Sequence, residues 1–247
     1  DKKKDDKEWL WEIQPLWTDE IMREKVWSRY EHVFLMSGTI IDIKKFCKVN
    51  GIDINDVAYL RLGSSFPVKN RPIYYIPKGK MSYRNKVEAW KDYLPTIENI
   101  INKYKGKKGI IHVGNYELWE WLKRDYKNDR LIFASSEDRQ KSLDRHLTSE
   151  SDTILVSPSM KQGVDLKDDL SRFQIILKVP YPSLGSKVNK MRFEEDKKWY
   201  SWVVVMDLIQ QYGRSIRSST DYADTFILDS CFSDILAKSG HLMPKYF

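Results

Sequence analysis

The sequence predicts an α/β fold: three layers, with a mostly parallel sheet flanked by helices. Three observations predict it. Short runs rich in β-branched residues recur along the 247 residues, and several are apolar throughout rather than alternating, as expected of strands covered on both faces. Longer stretches with helical patterning lie between them, which implies parallel strands joined by helical crossovers. The alternation continues without a long linker, so one large domain is expected.

The elements follow in order. Residues 18–30 form the first helix candidate, in a start rich in tryptophan (Trp9, Trp11, Trp17, Trp27) that is expected to pack rather than to stack on bases. Residues 1–30 are taken as an appendage or interdomain segment and 31–247 as the main domain. The run Val33-Phe34-Leu35-Met36 is the first strand candidate, expected to be buried, and a helix is expected over 41–50. Strand 73–76 and helix 84–105 come next. Strands 109–113, 130–134 and 153–157 are separated by helices 116–126 and 137–147. Strand 174–179 leads into a long helix over 188–211, and strand 225–229 into a last helix over 231–238. The Pro-containing stretches 65–72 and 180–185 read as ordered loops. In such sheets ligands sit at the carboxyl ends of strands, which points to the loops after Met36, Val113, Ser157 and Val179.

Composition narrows the function classes. Lys plus Arg number 42 against 35 Asp plus Glu, a net charge of +7 that suits a polyanionic partner without requiring one. No apolar run is long enough to cross a bilayer, so no membrane partner is expected. Cys47 and Cys231 are far apart and the four histidines are dispersed, which argues against a disulfide framework or a metal site and suits a reducing, intracellular (cytoplasmic) setting.

Three motifs carry chemistry. The first is Gln210-Gln211-Tyr212-Gly213-Arg214-Ser215-Ile216-Arg217. If helical, Gln210, Arg214 and Arg217 share one face at i, i+4, i+7, and two guanidiniums a turn apart suit a clamp on phosphate oxygens. A solvated basic face is the plain alternative. Gly213 inside such a helix costs about 1 kcal/mol relative to Ala and suggests a close approach there. The second motif, Ser157 to Leu166, follows an apolar strand. Its Gly163 permits a tight backbone approach, and Asp165 offers an acceptor for a ribose or a water near phosphate. An ordinary strand-ending loop is the alternative. The third is Ser37-Gly38-Thr39 after the first apolar run. These hydroxyls suit either coupling to a nucleotide site or capping of the helix starting near Ile41.

Taken in order, Ser-Gly-Thr, Gly-Val-Asp and Q-x-x-G-R-x-x-R resemble the motif series of XPD/DinG-like superfamily 2 helicases. Gly63-Ser64-Ser65-Phe66-Pro67, the loop with Asn115 and Tyr116, and Pro180-Tyr181-Pro182 resemble further family stretches, and the likeness runs from about Val33 to Phe232. Gln162 stands where the family usually has Glu, and Cys231 where it commonly has Arg. The resemblance implies a second RecA-like motor domain. It implies arginine fingers at Arg214 and Arg217 aided by Gln210, and nucleotide contacts or coupling from Gly163, Asp165, Gly213, Ser37, Gly38 and Thr39. Contacts to single-stranded DNA are implied for Ser64, Asn115, Tyr116, Ser159 and Lys161.

No G-x-x-x-x-G-K-[ST] loop is present; the stretches at Lys78–Met81 and Lys105–Lys108 fail the pattern, and Asp19-Glu20 follows no convincing strand. By resemblance, ATP and Mg²⁺ are held mainly by an N-terminal RecA-like domain absent from this chain, which is the implied partner. Any iron–sulfur cluster belongs to that absent part as well. A non-catalytic nucleic-acid-binding or interaction module with the same fold stays open as the alternative. A small-molecule α/β enzyme would need the missing glycine-rich loop.

Overall fold

The computed structural model describes residues 13–158 and 165–247. Six strands form one sheet: β1 (Ile73–Tyr75), β2 (Gly109–His112), β3 (Leu131–Phe133), β4 (Ile154–Ser157), β5 (Phe173–Ile176) and β6 (Asp224–Ile227). Their order is β1-β6-β5-β2-β4-β3, and every pair is parallel. Strands β2, β4 and β5 are buried at every position, which is why they read as continuous apolar runs.

Eight α-helices are described, besides five one-turn 3-10 segments: α1 (Asp19–Lys25), α2 (Ile43–Val49), α3 (Lys86–Lys103), α4 (Tyr116–Asp125), α5 (Arg139–Thr148), α6 (Lys187–Glu195), α7 (Lys197–Tyr212) and α8 (Cys231–Ser239). Helices α3 and α4 cover one face, packing Tyr93, Ile97, Leu118 and Leu122 on Ile111, Val156 and Ile175. Helices α7 and α8 cover the other, with Val205, Leu208 and Ile235 against Ile176 and Ile227. Helix α5 completes that second layer through Leu143 over Ile110, Ile132 and Leu155. The alternation of faces along each strand decides which layer each side chain joins. Gly109 marks a close approach within the sheet, since a Cβ there would lie 2.4 Å from the Phe173 ring.

Two expected elements come out differently. Residues 33–36 form no strand: the segment is irregular and exposed, with Phe34 at 87% and Met36 at 86% of full accessibility. A strand needs a hydrogen-bonding neighbour, and among the described residues none lies beside it. The long helix expected over 188–211 is two helices. Asp196 ends α6 and starts α7, its carboxylate accepting from Trp199 N at 2.9 Å and from Lys45 Nζ at 2.5 Å.

The segment before the sheet packs on α7. Trp17 meets Trp199 edge to face at 5.5 Å, and Phe46 and Val49 of α2 lie against the same cluster. Gly51, at φ +65°, lets the chain pass Asp19, whose carbonyl oxygen would sit 1.9 Å from a Cβ. Trp17 and Trp27 thus serve packing and backbone contact, Trp27 Nε1 donating to the Asn50 carbonyl. Trp9 and Trp11 lie outside the described residues.

Candidate nucleotide groove

Helix α7 runs antiparallel to the strands and delivers its last turn to their amino-terminal ends. Its final carbonyl, on Tyr212, would be an orphan; buried Gln174 donates to it at 2.8 Å and to Thr225 Oγ1 at 2.7 Å, pinning the helix end to the sheet. The Gln210, Arg214, Arg217 triplet therefore does not lie on one helix face. Gln210 sits on the last turn of the helix, Gly213 is the cap, Arg214 lies in the turn that follows, and Arg217 lies in the irregular segment beyond it. Gly213 has an ordinary φ of −72°, and a Cβ there would meet the helix's own Ile209 carbonyl at 3.3 Å. It fits the helix end rather than an approaching ligand.

The turn is held from below. Ser215 Oγ meets Ser171 Oγ at 2.6 Å in the interior. Asp221 is almost wholly buried and accepts from Arg172 Nη1 at 2.7 Å and from the backbone amides of Asp168, Arg217 and Tyr222 at 3.1, 3.2 and 2.9 Å. Arg172 also reaches Asp169 and lies over the Tyr222 ring at 4.1 Å. A buried ion pair furnished with this many hydrogen bonds fixes geometry.

Above this base lies a groove of about 410 Å³ lined by Gly38, Thr39, Ser64, Phe66, Arg71, Gln210, Gly213, Arg214, Arg217 and Tyr246, among others. Arg217 pairs with Asp165 at 3.0 Å and keeps over a third of its side chain exposed. Arg214 is buried; burial lowers its pKa below the ordinary guanidinium value, and neighbouring Arg217 and Arg139 push the same way. Gln210 Nε2 donates to Thr39 Oγ1 at 3.2 Å, tying the Ser-Gly-Thr loop to the arginine turn. Ser37 Oγ accepts from Thr39 N at 3.2 Å. Neither hydroxyl caps the following helix: Asp42 does so, accepting from Lys45 N at 3.0 Å. Ile41, between loop and cap, sits at φ 61°, a costly conformation for a β-branched residue.

The groove opens at the amino-terminal ends of β1 and β6, not at the carboxyl ends favoured by the strand-end rule. The reason is the return path of α7, which carries the motif back across the sheet. Ser64 falls in this groove, where Arg71 Nη2 donates to its Oγ at 2.8 Å, rather than beside Asn115 and Tyr116. Those two follow β2 at the carboxyl end. Asn115 caps α4, its side chain accepting from Leu118 N at 2.8 Å, and the Tyr116 side chain is exposed. Ser159, Lys161 and Gly163 lie outside the described residues.

His112 ends β2 inside the same layer as Gln174. Burial drops its pKa to about 4, and Arg214 adds to the drop. At the carboxyl end of β6, Asp229 accepts from the amides of Met81, Val179 and Cys231 at 3.0, 2.9 and 3.0 Å. Three amides satisfy this carboxylate, so Cys231 needs no arginine in its place.

Motif reading missed Arg71, Tyr246 and the Arg172–Asp221 pair. Nothing in their spacing marks them; each gains meaning from a contact distant in sequence. For a nucleotide the groove has suitable donors: guanidiniums and an amide, with one carboxylate already paired. Among the described residues no group of three or more His, Cys, Asp or Glu could hold a metal ion.

An all-parallel α/β domain that offers arginines but carries no phosphate loop has the make-up of a helicase motor half. The chain belongs to the helicase C-terminal domain family, whose model matches residues 97–247. It is of the XPD/DinG-like superfamily 2 type. It is 23% identical over 240 residues to a probable ATP-dependent helicase of Methanocaldococcus jannaschii, covering 85% of this chain and 37% of that protein. It is 23% identical to the ATP-dependent DNA helicase DinG of Photobacterium profundum, covering 90% of this chain and 35% of that protein. The chain thus spans little more than a third of these relatives. Among solved structures, an XPD helicase aligns with a TM-score of 0.62 at 21% identity over 85% of this chain and 41% of that one. An apo XPD structure aligns with a TM-score of 0.66 at 19% identity over 84% of this chain and 46% of that one. These likenesses show the fold.

Proposed function

We propose that this chain is the second motor domain of a longer ATP-dependent DNA helicase working inside the cell, with residues 31–247 forming the motor proper. ATP and its Mg²⁺ are held mainly by an N-terminal RecA-like domain, and the arginine groove closes on the phosphates from the other side. Arg217 exchanges Asp165 for phosphate oxygens, Arg214 stabilises charge on the transferring group, and Gln210 positions it while sensing the Ser37–Thr39 loop. Asp165, with Gly163, takes the ribose side. Opening of the cleft passes through the Gln210–Thr39 bond to single-stranded DNA held along Asn115, Tyr116, Ser159 and Lys161, with Ser64 at the groove's edge.

The observation that carries this reading is the convergence of Thr39, Gln210, Arg214 and the Arg217–Asp165 pair on one groove. The uncovered apolar residues beside it add support: Phe34, Met36, Leu60 and Leu62 are all strongly exposed, as expected of a surface that another domain covers. The test is Arg217→Ala in a protein carrying both motor domains. DNA-stimulated ATP hydrolysis is expected to fall about a thousandfold or more, as for other arginine fingers. Unchanged hydrolysis would refute the assignment and favour a binding module without turnover.

A further inference from the structure

The groove holds a third guanidinium. Arg71, in the loop before β1, is 5% exposed yet lines the same wall as Ser64 and Phe66. Its Nη2 is fully used, donating to Ser64 Oγ and the Phe66 carbonyl at 2.8 Å each. Its Nε is buried with no acceptor, and among the described residues no carboxylate pairs with the group. What surrounds the charge is aromatic: the Tyr246 ring lies 4.4 Å away, and the Phe66 and Tyr212 rings 6.0 Å each. Ring faces offset part of the lost hydration of a cation but do not neutralise it.

The loop is built to hold the guanidinium in one pose. The Tyr212 hydroxyl donates to the Arg71 carbonyl at 2.8 Å, so the end of α7 fixes Arg71 as well as the segment bearing Arg214 and Arg217. A buried, immobilised cation with no carboxylate partner among the described residues, facing a groove with two further arginines, is organised for an anion supplied from outside. We propose that Arg71 is a phosphate-binding residue of this groove, gripping the polyphosphate of a nucleoside triphosphate alongside Arg214 and Arg217. This rests on the motor reading and adds to it a binding role distinct from that of the two motif arginines.

The two roles separate kinetically. Arg71→Gln, Arg71→Lys and Arg217→Ala are placed in a protein carrying both motor domains, and hydrolysis is followed against ATP concentration at saturating single-stranded DNA. Arg71→Gln is expected to raise KM for ATP about tenfold with kcat within about threefold, because one charge-assisted contact is lost. Arg71→Lys recovers part of the loss, which a merely structural role would not give. If KM stays within twofold while Arg217→Ala still abolishes turnover, Arg71 has no phosphate role and the motor reading stands. If neither variant changes hydrolysis, both readings fall. The unsubstituted protein carrying both motor domains gives a second measurement that needs no variant to fold. Titration with tripolyphosphate alone is expected to shift the Arg71 Nε–Hε resonance in NMR spectra; an unmoved resonance overturns the assignment.

Discussion

Two regions of this chain carry the same local signature and meet opposite fates. Residues 109–112 and 173–176 are short, mostly apolar runs, and every residue in them is buried between helical layers. Residues 33–36 are just as apolar, and 57–62 nearly so, yet Phe34, Met36, Leu60 and Leu62 stand in solvent. The difference lies in neighbours. Strand β2 has β4 and β5 on either side, while the two extended segments have no strand partner among the described residues. Apolar β-branched patterning states that a segment wants a sheet; it does not say whose.

This contrast can be broken first with acid. His112 and His146 are buried in the sheet region, and burial holds both near pKa 4, well below the ordinary 6.5. Their neutral forms stabilise the fold fully above about pH 6.5, and that contribution is lost as pH falls toward 4, where the unfolded chain takes up protons that the folded chain refuses. The limit is about 3 kcal/mol per histidine. Urea melts at pH 7 and pH 5 are expected to show a clear loss, and equal midpoints would contradict the buried neutral state.

A paired substitution sharpens the contrast. Phe173→Ala empties a fully buried ring site stacked on Tyr104 and is expected to cost about 3–5 kcal/mol. Phe34→Ala in the same chain is expected to change stability by less than about 0.5 kcal/mol. Thermal melts of the two variants decide it; a large loss from Phe34→Ala would mean that residues 33–36 are covered in solution. The smallest effect belongs to Asn115→Ala, which removes the cap of α4 at the rim of the sheet and is expected to cost about 1 kcal/mol, read from a denaturant midpoint.

Strands β2, β4 and β5 were legible because each is buried at every position, which leaves little polar alternation, while β1, β3 and β6 were legible from β-branched and aromatic runs set between helical stretches. Helix α4 was legible because its cap, its apolar stripe and its length agree. The long helix over 188–211 was misread because helical patterning continues through Asp196; only the capping bond to Trp199 and the pairing with Lys45 reveal the break. The capping reading of the Ser37–Thr39 loop fails because Asp42 caps α2 in its stead. The motif arginines were expected on one helix face with Gln210, but α7 ends at Tyr212, whose carbonyl accepts from Gln174, and both arginines lie beyond it.

By itself, the sequence determined the kind of sheet, the order of its elements and the residue types of the Gln210–Arg217 motif. These are local matters, set by period, cap and composition within a dozen residues. Only the tertiary structure decided which ends of the strands host the groove, and that Ser64 and Thr39 share it with Arg214 and Arg217. It alone brought in Arg71, 143 positions before Arg214, as a third cation. Such convergence depends on the path of α7 across the sheet and on buried bonds between residues far apart in the chain, and no local pattern encodes either.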